Sequence, residues 1–148
     1  MTTKQQARNN MHQLTINREF NTSVSNLFKA WCQVETIKNW FAPGNMTVPE
    51  ATAEVNEGGS YRIVMQDTDG SQHIIGGKYY EVVENEKLIF SWQWEGSPNT
   101  TKVSILFKSL ADNKASLELT HSEFDDEEAR DKHNQGWQGC LANLPKVL

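Results

Sequence analysis

Cysteine is scarce in this chain. Cys32 and Cys140 are the only two, and no C-x-x-C pair occurs. Two isolated thiols among apolar neighbours argue against a disulfide framework. They read as buried free thiols in a protein of a reducing compartment, the cytoplasm. Long apolar runs are also missing. No stretch of 18 apolar residues occurs, so no membrane-spanning helix is expected. Met1 to Met11 is polar and lacks the apolar centre of a signal peptide. Positive charge is not in excess: the formal charge is −5, with both signs intermixed, which argues against nucleic acid as a partner. The sequence has no G-x-G-x-x-G, no G-x-x-x-x-G-K-[ST] and no H-E-x-x-H, hence no phosphate cradle and no sign of a cofactor. The histidines are His12, His73, His121 and His133. They do not form a convergent ligand set, and no metal is expected.

What the chain does have is aromatic mass and clear periodicity. Its 148 residues are 37% apolar and include five Trp and six Phe, enough for one domain with a core of its own. Residues 1–11 read as a flexible leader and 12–148 as one domain, without repeats or linkers. Near the C-terminus, Asp125, Asp126, Glu127 and Glu128 open a helix at its electropositive end, with Asp125 and Glu128 as a cap pair. Ala129, His133, Gly136, Trp137, Cys140, Leu141 and Leu144 then recur at threes and fours, the spacing of one helical face. Pro145 ends or kinks this helix near Asn143.

Earlier segments alternate with a period of two. His12–Phe20 reads as a strand. A short helix capped by Thr22 or Ser23 runs to Cys32, and a second spans Val34–Trp40. Six more strands follow: Glu50–Val55, Ser60–Gln66, Gln72–Val83, one carrying Leu88, Phe90, Trp92 and Trp94, one carrying Val103, Ile105 and Phe107, and one carrying Leu117 and Leu119. Gly76-Gly77 inside the third of these marks a bulge, a bend or a close neighbour. Short turns make successive strands antiparallel. The expected fold is α+β: a curved antiparallel sheet of about seven strands, two short helices, and one long C-terminal helix across the concave face.

Several stretches taken in order carry a resemblance. They are Arg18-Glu19-Phe20 with Val24, Leu27, Phe28 and Ala30-Trp31; Trp40-Phe41-Ala42-Pro43; Glu57-Gly58-Gly59-Ser60-Tyr61-Arg62; Asp69-Gly70; Gly77, Tyr79, Glu81 and Val82; Lys87 to Trp92; Leu117, Leu119-Thr120-His121; and His133, Gly136-Trp137 and Leu141. The chain resembles the START-like, or Bet v 1-like (SRPBCC), superfamily with its helix-grip fold. Within it the chain is most similar to the group related to the C-terminal domain of the Hsp90 ATPase activator. The match runs from residue 12 to residue 144. It departs at Asn99-Thr100-Thr101, which blurs the family's usual threonine, and at Pro145. The resemblance implies a cavity between sheet and long helix. It also implies relatives that bind apolar molecules, that catalyse cyclisations or related reactions, or that bind Hsp90. Fold alone does not choose among these.

The candidate site follows from the long helix and the aromatic strands. Gly136 in mid-helix costs about 1 kcal/mol against Ala and implies close approach by a backbone or by something bound. The helix is then either a plain core helix or the roof of a cavity. For the cavity we expect His133, Gly136, Trp137 and Cys140 from the helix, Tyr61, Ile63, Met65 and Trp92 from the sheet, and Trp40 and Phe41 at one end. The guest would be a small apolar molecule. His133 has three readings: a hydrogen bond to Tyr61 or Tyr79, orientation of a ligand group, or general base. Cys140 lies about 10 Å along the helix from His133, too far for proton transfer. The alternatives are a cyclase- or hydrolase-like enzyme using the same cavity, and a protein-binding, chaperone-associated module. A monomer and a homodimer fit the residues equally well.

Overall fold

The computed structural model describes residues 12–148. The expected leader at 1–11 lies outside the described residues. Strand β1 (Leu14–Phe20) buries Leu14, Ile16 and Phe20 and turns Thr15 and Asn17 outward. Helix α1 (Val24–Ala30) starts at Ser23, whose hydroxyl accepts from the Asn26 N–H at 3.1 Å. Helix α2 (Val34–Ile37) is one turn long, shorter than the expected Val34–Trp40. The chain leaves it in tight turns, held by Trp40 Nε1 donating to the Ala30 carbonyl at 2.9 Å.

Six strands follow: β2 (Thr47–Ala53), β3 (Ser60–Gln66), β4 (Gln72–Val83), β5 (Lys87–Trp94), β6 (Thr101–Ala111) and β7 (Lys114–Ser122). The sheet order is β1-β7-β6-β5-β4-β3-β2, with every neighbouring pair antiparallel. β1 and β2 are therefore opposite edges, and the segment carrying α1 and α2 crosses from one to the other. β2 begins earlier than expected and includes Pro49. An edge strand tolerates a residue without an N–H donor, and the β2–β3 register shifts between Thr47 and Glu50.

Gly77 is required by a close approach: a Cβ there would lie 2.1 Å from the Ser91 carbonyl oxygen. Side chains complete the hydrogen bonding at this bend. Tyr61 Oη donates to the Ser91 carbonyl at 2.7 Å, and Ser91 Oγ accepts from Lys78 N–H at 2.9 Å. The register of β4 on β5 shifts just beyond, between Tyr79 and Glu81.

Helix α3 (Glu127–Asn143) packs on the sheet through the buried Trp137, Cys140 and Leu141, with Ala129 partly buried. Its cap is Asp126, one residue later than expected. Asp126 Oδ1 accepts from Ala129 N–H at 2.8 Å, while Glu128 pairs with Lys132 at 3.0 Å. The helix ends at Asn143, and a 3-10 turn (Leu144–Val147) takes over with Pro145 in its first positions. The result is the helix-grip α+β fold.

Candidate ligand cavity

A cavity of about 460 Å³ lies between the sheet and α3. The helix supplies Lys132, His133, Gly136, Trp137 and Cys140. The sheet supplies Met65, His73, Trp92 and Trp94, and the connection after α2 supplies Phe41, Pro43 and Met46. Strand alternation places Trp92 and Trp94 on one face. The helical repeat places His133, Gly136, Trp137 and Cys140 opposite them.

Seven of the ten expected residues line this space: Phe41, Met65, Trp92, His133, Gly136, Trp137 and Cys140. Trp40, Tyr61 and Ile63 do not. They surround a separate void of about 20 Å³ with Phe90 and Tyr79, on the far side of Phe41, whose ring borders both spaces. Tyr61 is drawn there by its hydrogen bond to Ser91 and by edge packing on Phe90, with ring centroids 5.4 Å apart.

For Gly136 the first of its two readings, a close backbone, falls away. A Cβ on Gly136 would meet nothing within 4 Å, so that residue opens onto the cavity and no backbone presses on it. The close approach is at Gly139, where a Cβ would lie 2.8 Å from Pro43 Cβ. Gly139 lets α3 rest on the Pro43 loop, and Asn143 Nδ2 donates to the Ala42 carbonyl at 2.8 Å just beyond.

Two histidines fix the polar structure. His133 contacts neither Tyr61 nor Tyr79 through a hydrogen bond. Its Nδ1 is 2.7 Å from the Ala129 carbonyl, and its Nε2 accepts from Trp94 Nε1 at 2.9 Å. A carbonyl only accepts and an indole N–H only donates, so the ring is neutral with its proton on Nδ1. Burial lowers its pKa, and the Ala129 bond opposes this. A lone pair already held by an indole N–H leaves His133 no free base.

His121, fully buried on β7, takes the opposite tautomer. Nδ1 accepts from Trp137 Nε1 at 3.0 Å, which places the proton on Nε2, 2.7 Å from Thr101 Oγ1. The Thr101 hydroxyl in turn donates to the Trp92 carbonyl at 3.3 Å. Burial holds His121 well below its ordinary pKa, and the nearby His133 adds to the effect. Cys140, also in the wall, has its thiol pushed up to about 12 by burial.

Sequence reasoning missed Trp94, His121, Thr101, Pro43, Met46, His73 and Lys132. Trp94 is the recoverable one, two residues beyond Trp92 on the same strand face. Pro43 and Met46 lie on a connection without periodicity. The partner of His121 depends on the packing of α3.

The fold recurs in solved structures. A protein of Chromobacterium violaceum superposes with a TM-score of 0.82 at 18% identity, over 93% of this chain and 96% of that one. The AHSA1 protein of Silicibacter pomeroyi gives 0.80 at 23% identity, over 90% and 95%. A protein of Nitrosomonas europaea gives 0.79 at 19%, over 92% and 93%. No curated protein matches the sequence. Residues 21–148 match the family model described as Activator of Hsp90 ATPase homolog 1-like protein, and with most of its length covered the chain belongs to that family.

Proposed function

We propose that the chain is a binding module for a small apolar molecule held between the sheet and α3. The observation that supports this is the cavity of about 460 Å³ beneath a helical glycine with open space at its Cβ. Its size falls within the range of about 300–1,000 Å³ usual for small-molecule sites. Among the described residues, the titratable groups of the cavity interior offer the enzymatic alternative no free base, and the others that line it, His73 and Lys132, lie exposed at its rim. The His133 lone pair is engaged, and the Cys140 thiol is kept protonated. The protein-binding reading comes with the family description. The exposed large apolar residues among those described are Tyr80, Leu106 and Leu110.

The test is titration with a neutral environment-sensitive dye such as Nile red. Wild type binds it saturably. Gly136→Leu, which projects a side chain into the open space, binds it much more weakly while keeping its far-UV circular dichroism. Equal binding by both folded proteins overturns the placement of the site, and no saturable binding by wild type overturns the reading.

A further inference from the structure

The cavity's polar atoms are nearly all engaged, and that restricts what can enter. Trp94 N–H is bound to His133, His133 N–H faces Ala129, and Trp137 N–H is bound to His121. The indole N–H of Trp92 has no partner, but the atom is sealed off from solvent-sized space. The interior therefore presents carbon and sulfur to a guest. A polar group pushed inside would lose its hydration without compensation, at a cost far above thermal energy.

A guest with a polar group must therefore keep that group at the rim, where Lys132 and His73 are the exposed lining residues. Among the described residues, no carboxylate lines the cavity. Lys132 is its one permanent charge, in a chain of net charge −5. The Lys132 ammonium pairs with Glu128 one turn earlier at 3.0 Å, both side chains about three-quarters exposed. Such a pair is weak and readily exchanged. Asp69, whose carboxylate is held by Ser71 in the β3–β4 turn, lies near His73. Neither acid is part of the lining. The aliphatic stem of Lys132 can extend the wall while its charge stays in water.

Resting on the small-molecule reading above, we infer that the guest is an amphiphilic organic acid. Its apolar body lies over Trp92 and Trp137, and its carboxylate sits at the Lys132–His73 rim. An amine of the same shape would meet like charge there, and an alcohol would gain no charge–charge attraction from it.

Displacement of Nile red at pH 7 by decanoate and decylammonium, each below its micellar concentration, and by 1-decanol below its solubility limit, tests this. Decanoate should bind about two- to fivefold more tightly than decanol, the range of one solvent-exposed ion pair, and decylammonium more weakly than decanol. Added salt should shrink the differences. Read as the ratio of acid to amine affinity within each protein, Lys132→Glu should reverse the order of the two, and Lys132→Gln should narrow the ratio. Equal binding of acid and amine, or an order insensitive to Lys132→Glu, overturns the inference and leaves the cavity reading standing. So does saturable dye binding that none of the three displaces. Failure of the dye itself to bind removes both.

Discussion

Replacing His121 with Leu tests the polar joint between sheet and helix. His121 is fully buried and accepts the Trp137 indole N–H at 3.0 Å. Leu is close in volume but cannot accept, so the main loss is a buried donor left bare, about 1–3 kcal/mol. Thr101 keeps its bond to the Trp92 carbonyl and adds little. Trp137→Phe makes the converse cut: it bares the His121 Nδ1 acceptor at a similar cost and adds the packing loss of a smaller ring. The double variant removes donor and acceptor together. Its destabilisation should fall short of the summed single losses by about 1–2 kcal/mol, within the range for residues in contact. Urea melts followed by far-UV circular dichroism give the midpoints without relying on tryptophan emission, and an unchanged slope keeps the comparison two-state. Additivity within about 0.3 kcal/mol would show that the bond between His121 and Trp137 contributes nothing and that the tautomer assignment is wrong.

Two further outcomes are expected. His121 and His133 both have folded-state pKa values below the ordinary one, so the unfolded chain takes up protons first. Their stabilising contribution is complete above about pH 6.5 and falls as pH drops through the folded-state values, by at most about 1.4 kcal/mol per pH unit per group. Urea midpoints between pH 7.5 and 5 should decline, with a smaller slope in His121→Leu, and a flat profile would refute the neutral pair. The two helical glycines should respond differently to Ala. Gly136→Ala should stabilise by about 1 kcal/mol through helix propensity, since its Cβ meets nothing. Gly139→Ala should lie about 1–3 kcal/mol below it from overpacking on Pro43, and equal thermal midpoints would refute the difference.

The fold was largely legible because alternation and helical spacing are local signals. The faces of α3, its end before Pro145 and the antiparallel strands all follow from residues near in sequence. The cap shows where this stops. Asp125 and Asp126 are chemically equal, and the backbone at Asp126, extended at φ −151° and ψ 171°, decides between them. The site was legible as a face but not as a position along it. Tyr61, Ile63 and Met65 alternate on one strand face, yet only Met65 reaches the larger cavity, because Phe41 divides that face into two compartments. The partner of His133 was not legible at all. It sits 39 residues away, placed by the packing of α3 against the end of β5. Tyr61 and Tyr79 were reasonable candidates by type and face, but both lie beyond Phe41.

The same polar joints explain how so large a space persists. Scaled at about 24 cal/mol per Å³, an empty sealed void of about 460 Å³ would cost on the order of 11 kcal/mol, comparable with the whole stability of a domain this size. A dry void is therefore excluded, and the rim at Lys132 and His73 gives water or a guest access. Apolar walls alone would still tend to close, since bringing α3 down would bury the partly exposed Trp94 further and bring Trp92 and Met65 into closer contact with the helix. What opposes closure is directional. His133 on one turn is tied to Trp94 at 2.9 Å, and Trp137 on the next is tied to His121 at 3.0 Å. Gly139 and Asn143 rest on the Pro43 loop beyond them. These contacts set the height of α3 above the sheet, and Gly136, between the two polar joints, leaves the gap unfilled. Displacement of water from such walls by an apolar guest is favourable in proportion to the area covered, so the joints that hold the cavity open also create the driving force for filling it.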